Sequence, residues 1–195
     1  GEEMANLPVW VFHPQQHPLS PSAQEKLFAL NAELLPFEVD EAFLQFPFAG
    51  KAAAAAAAEG KAEGQNVVLG WHDRTGMIKH APNAFHLANE KIIGFRPTDI
   101  ANIGAPFDQT LPPFWTEICA QFETNDEDLP PITTCIDHRT CYLYVNAGLL
   151  VVRPFRGILR KWSAALQNTY ALPKFRAFYQ ESQDYAIFMH QAVLS

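Results

Sequence analysis

Val67-Val68-Leu69-Gly70-Trp71 is short and apolar on both faces, and it runs straight into His72-Asp73-Arg74-Thr75-Gly76. Such a run fits a central strand covered by helices on either side, ending in an acidic turn. The segment before it predicts a helix over Phe48–Glu59. Pro47 precedes it, seven consecutive alanines (Ala52–Ala58) give it the strongest helix propensity available, and Gly60 is a natural stop. Alanine side chains also let a helix lie close against a sheet. A helix feeding a buried strand is the β-α-β pattern of a largely parallel sheet.

Outward from this centre the pattern continues. Leu7–Phe12 reads as a strand halted at His13-Pro14. Ser20-Pro21-Ser22 opens a helix over Ala23–Leu34, with Ser20 as cap and Pro36 as terminator. Lys91–Phe95 reads as a strand and Asn102–Pro113 as a loop. Phe114, Trp115, Ile118, Cys119 and Phe122 share one helical stripe. Asn125–Asp128 is a solvated connection. Ile132–Ile136 and Tyr142–Val152 read as strands, Phe155–Tyr170 as a helix with Ile158, Leu159, Trp162 and Leu166 inside, and Asp184–Leu194 as the last helix. No internal repeat or dividing linker is visible, so 1–195 reads as one domain.

With 195 residues, 48% hydrophobic and 18% charged, the chain can bury a core and is unlike a disordered segment. A formal net charge of −7 argues against a nucleic-acid binder. It leaves room for a phosphorylated small molecule held by a local basic pocket. No apolar run reaches the roughly 20 residues of a membrane span. The three cysteines, Cys119, Cys135 and Cys141, do not form the even set of a disulfide scaffold.

Open parallel sheets bind ligands beyond the carboxyl ends of their strands, which directs attention to Asp73. A carboxylate there can hold a divalent cation or a ribose hydroxyl; Asp followed by Gly three residues later is also ordinary turn chemistry. Lys51 opposes the dipole of its own helix start, which makes sense beside a bound anion, although an exposed lysine is the plain alternative. Arg96, at a strand end before Pro97, either binds an anion or makes a surface salt bridge. Asn146-Ala147-Gly148, a polar residue and two small ones inside an apolar strand, suggests close approach by a ligand or another backbone. His190-Gln191 sits on the last helix among apolar residues, where a histidine is usually a core residue. Cys135, His138 and Cys141 have close spacing, but structural zinc takes four ligands; a Cys135–Cys141 disulfide and plain core thiols are the other readings. No serine-histidine-aspartate set or phosphate-binding glycine loop is present.

Three of these segments, taken in order, resemble nucleotide-diphospho-sugar transferases with the GT-A fold. They are the helix, strand and acidic turn from Lys51 to Thr75; Val145-Asn146-Ala147-Gly148 leading to Arg153-Pro154; and His190-Gln191-Ala192-Val193-Leu194-Ser195. The resemblance runs from about residue 8 to the C-terminus. It implies a mainly parallel mixed sheet with helices on both faces, its first strand falling before Leu7 and the domain incomplete at both ends. It implies transfer of a sugar from a nucleoside-diphosphate donor to an acceptor. Asp73, Arg74, Thr75, Lys51 and Arg96 would serve the donor and its phosphates, and Asn146, Ala147, Gly148, His190 and Gln191 the sugar and acceptor. The family's Asp-x-Asp holds manganese or magnesium. Here Asp73-Arg74-Thr75 has one carboxylate, so Asp73 alone would remain for metal and Arg74 would supply positive charge instead. A non-catalytic saccharide- or partner-binding module is the alternative expectation. Use of an activated sugar favours the cytoplasm.

Overall fold

The computed structural model describes the chain except residues 1–6, 66, 75, 77, 79–85, 89, 99 and 135–137. It is a mixed α/β structure whose described strands fall in three short sheets. β1 (Val9–Pro14) and β2 (Ala32–Phe37) pair in parallel around α1 (Pro21–Ala29). Ser20 caps α1 as expected, its hydroxyl accepting from the Ala23 amide, with Pro21 at the first helical position. The helix is shorter than the sequence suggests. Asn31 adopts φ 56°, a left-handed conformation that closes a helix, and the chain re-enters as a strand at Ala32.

The expectation of a largely parallel sheet is corrected. Among the described residues only β1–β2 is parallel; β3 (Leu69–His72), β7 (Val145–Val152) and β4 (Ile93–Pro97) form a sheet in that order with β7 antiparallel to both neighbours. Adjacent strands in sequence are thus not adjacent in the sheet: β7 returns late and inserts between β3 and β4. β3 is therefore a half-exposed flank, and the more deeply buried centre is β7. The single strand expected over Tyr142–Val152 is two, since β6 (Thr140–Tyr142) pairs with β5 (Pro131–Thr133) in a separate antiparallel sheet.

Helices pack on this frame. α2 (Glu41–Leu44) leads to α3 (Ala49–Ala62), which outruns Gly60 because that glycine keeps a helical backbone; the left-handed glycine after the helix is Gly64, at φ 80°. Ala49, Ala52 and Ala55 have no exposed surface, the close approach that small side chains permit. α3 lies against α5 (Ile158–Thr169), whose inner stripe is Leu159, Trp162 and Leu166. Gly157, at φ 65°, breaks the expected Phe155–Tyr170 helix and starts α5 afresh after a turn of 3-10 helix. The buried carboxylate of Glu59 on α3 caps α5 from the side. It accepts from the amides of Leu159 (3.2 Å) and Arg160 (2.9 Å), satisfying donors that a helix start leaves unpaired. α4 (Pro113–Gln121), α6 (Pro173–Glu181) and α7 (Gln183–Ala192) close the core around Phe114, Trp115, Tyr144, Phe175 and Met189.

Candidate functional site

The strands differ in length, and that difference builds the site. β3 ends with His72 opposite Leu149, whereas β7 begins at Val145. The first residues of β7 therefore project beyond the end of β3, and the Asp73 amide meets them by donating to the Gly148 carbonyl at 2.8 Å. Gly148 needs its missing side chain here. A Cβ would stand 2.8 Å from Asn146 Oδ1 and 3.8 Å from the Asp73 Cβ. Asn146 Oδ1 in turn accepts from the Gly148 amide at 2.8 Å. The turn expected at Asp73–Gly76 is also present: the Gly76 amide donates to the Asp73 carbonyl at 3.1 Å.

Lys51, in the first turn of α3, reaches this point. Its Nζ lies 2.5 Å from Asp73 Oδ2, with the two side chains 14% and 9% exposed. The ammonium also lies 4.5 Å from the ring centre of Phe48, a favourable cation–π contact. Phe48 stacks on His190 of α7, centroids 4.7 Å apart and planes at 27°. It does so from a left-handed backbone, φ 60°, which an aromatic residue adopts only where its surroundings impose it.

His190 is almost wholly buried. Burial, then the positive charge of Lys51, pull its pKa down to about 3, while the bond to Ile187 and the charge of Asp73 act the other way. It is a neutral imidazole near pH 7. Nδ1 lies 2.8 Å from the Ile187 carbonyl and must donate to it, which leaves Nε2 as an acceptor. Its own carbonyl accepts from Trp162 Nε1 at 2.7 Å. Gln191 ties α7 to β7: Oε1 accepts from the Ala147 amide (3.1 Å) and Nε2 donates to the Tyr144 hydroxyl (3.3 Å). Tyr144 donates onward to the Asn102 carbonyl at 2.5 Å. Burial raises the Tyr144 pKa well above its ordinary range, so it remains a neutral donor.

Lys51, Asp73, Asn146, Ala147, Gly148, His190 and Gln191 are thus joined in one cluster. Ala147 contributes its backbone and Gln191 chiefly braces the fold. Arg74 and Arg96 are exposed, Arg96 at the irregularity of β4 between Phe95 and Pro97. Among the described residues, neither arginine shares a hydrogen bond or ion pair with the cluster. Thr75 lies outside the described residues. Cys135 does too, so the Cys135-His138-Cys141 zinc set and the Cys135–Cys141 bridge cannot be placed; Cys119 and Cys141 are buried. Phe48 is the member that sequence reasoning missed, and no sequence signal marks its backbone strain.

The donor set fits a divalent ion poorly. Asp73 contributes one carboxylate, already in contact with an ammonium, and position 74 is a cation. Among the described residues no group of three His, Cys, Asp or Glu side chains gathers to hold an ion. Nor do the described residues include a helix long and apolar enough to cross a membrane. No family model matches the chain, and neither a curated protein nor a solved structure does.

Proposed function

We propose that the chain is a glycosyltransferase that moves a sugar from a nucleoside-diphosphate donor to an acceptor. One observation carries the reading: the three segments that resemble nucleotide-sugar transferases, distant in sequence, converge on a single buried cluster. Lys51–Asp73, Asn146–Gly148 and His190 meet at the end of β3.

Sugar transfer breaks the bond from the anomeric carbon to a phosphate oxygen and forms one to an acceptor oxygen, whose proton passes to the departing diphosphate or to water. Charge grows on the departing diphosphate, and a positioned cation in a partly dehydrated site stabilises it far better than one in water. Lys51 is such a cation. Asp73 and the Phe48 ring hold the ammonium in place, so little reorganisation is needed as charge develops. The neutral His190 lies behind the Phe48 ring and supports it from the core side. Gly148 leaves room for the Asn146 side chain and the Asp73 turn to close on the backbone of β7, which holds the carboxylate beside Lys51.

The test is turnover. UDP-, GDP- and CDP-sugars are incubated with the chain and a panel of saccharide acceptors, and released nucleoside diphosphate is measured. Release from one donor, lost in both Lys51→Met and Asp73→Ala, is the expected result. Turnover untouched by Asp73→Ala would refute the assignment. A second reading, a saccharide-binding module without turnover, is favoured by the engagement of the Asp73 carboxylate with Lys51. Oligosaccharide binding with no diphosphate release from any donor would select it.

A further inference from the structure

We infer that this site binds the donor diphosphate without a divalent ion, Lys51 serving as the permanent counter-cation that Asp73 holds in position. The inference rests on the transferase reading and deepens it.

Three observations lead here. First, the edge of Asp73 is occupied: the Lys51 ammonium is 2.5 Å from Oδ2. A magnesium or manganese ion would need that carboxylate at about 2.1 Å, close against a like charge in a site where both side chains are largely shielded from water. Second, the position that would complete an Asp-x-Asp ligand set is Thr75, which carries no carboxylate, and Arg74 between the two adds a positive charge that repels an ion. Third, the ammonium is fixed by more than the ion pair, because the Phe48 ring lies 4.5 Å beneath it and is itself clamped on His190. An ammonium has three N–H donors. Oδ2 takes one, which leaves others for phosphate oxygens.

The arrangement reverses the usual expectation for the acid. Where an aspartate binds diphosphate through a metal, removing its charge abolishes diphosphate binding. Here Asp73 contributes negative charge beside an incoming anion, so removing that charge while keeping the shape strengthens the pull of Lys51 on phosphate. Asp73 is then a positioning residue: its charge orders Lys51 for turnover and is not required for binding.

The experiment uses the intact chain and four probes, UDP, GDP, CDP and inorganic pyrophosphate, followed by thermal shift and calorimetric titration in EDTA and in manganese chloride. A ligand confined to the folded state raises the melting temperature by mass action. The expected result is one nucleoside diphosphate that binds equally in EDTA and in manganese. Lys51→Met should weaken it by about tenfold or more in both buffers. Lys51→Arg should retain it, and Asp73→Asn should bind as tightly as the parent or more tightly. Circular dichroism confirms that each variant is folded; should Lys51→Met fail, the buffer comparison and Asp73→Asn decide. Binding that requires manganese, or that disappears in Asp73→Asn, overturns the inference and leaves the transferase reading standing. No response to any probe in either buffer removes the transferase reading, and the inference with it.

Discussion

Lys51 and Asp73, far apart in sequence, meet at 2.5 Å where the start of α3 crosses the end of β3. The pair is mostly buried, so its components depend on each other more than surface ions do. Lys51→Met removes the cation and leaves the carboxylate in a poorly solvated site. Chemical denaturation should show a loss of about 3 kcal/mol. Adding Asp73→Asn should restore most of it, because a neutral pair of similar shape no longer carries an uncompensated charge. Additive losses would mean that the two residues are not coupled.

Glu59 should matter more to the fold than its place in an alanine helix suggests. It has no exposed surface and accepts from two amides at the start of α5. Glu59→Ala strands the buried Leu159 amide and the part-buried Arg160 amide, and an expected cost of about 3 kcal/mol follows. The nearby Glu63, which pairs with Arg160 in solvent, should be nearly silent when replaced by Gln. Equal effects from the two substitutions would contradict this division.

Gly148→Ala should separate binding from folding. The new methyl would press on Asn146 Oδ1, the tip of a side chain that can turn away. The stability change should stay within about 1 kcal/mol, while Asn146 loses its bond to the Gly148 amide and ligand affinity falls. A large loss of stability with intact affinity would place Gly148 in packing alone.

Acid should unfold the chain partly through His190. Unfolded, this histidine takes a proton near its ordinary value of 6.5; folded, it resists down to about 3. Between these values the unfolded state binds more protons, so stability falls as pH falls. The slope from this one group approaches about 1.4 kcal/mol per pH unit. Denaturation midpoints measured from pH 7.5 to pH 4.5 should drop less steeply in His190→Gln than in the parent. Identical slopes would mean that His190 titrates normally in the folded protein.

Much of the candidate cluster was legible because its residue types conflict with their local surroundings. A lysine at a helix start, an acid at a strand end and an Asn-Ala-Gly run inside an apolar strand each break a local rule, and all three meet in space. The pairing of strands was not legible. Helix-then-strand order suggested parallel neighbours, yet β7 inserts between β3 and β4, and that choice depends on long-range burial of Leu150 and Val152. β2 was hidden for a different reason. Ala32, Glu33, Leu34 and Leu35 are good helix formers, and the signal that ends α1 is one residue, Asn31, at positive φ. Phe48 was invisible because its role comes from a strained backbone that places its ring between Lys51 and His190.

The central claim is that a nucleoside diphosphate binds where Lys51, Asp73 and Gly148 meet. An amide NMR titration of the labelled chain with UDP, GDP and CDP tests it most directly. The account predicts that one of them shifts the amides of Lys51, Asp73 and Gly148 first and most, with the shifts falling off away from the end of β3. Saturable shifts centred elsewhere, such as the groove lined by Glu38, Asp40 and Gln167, or none with any of the three, would contradict it.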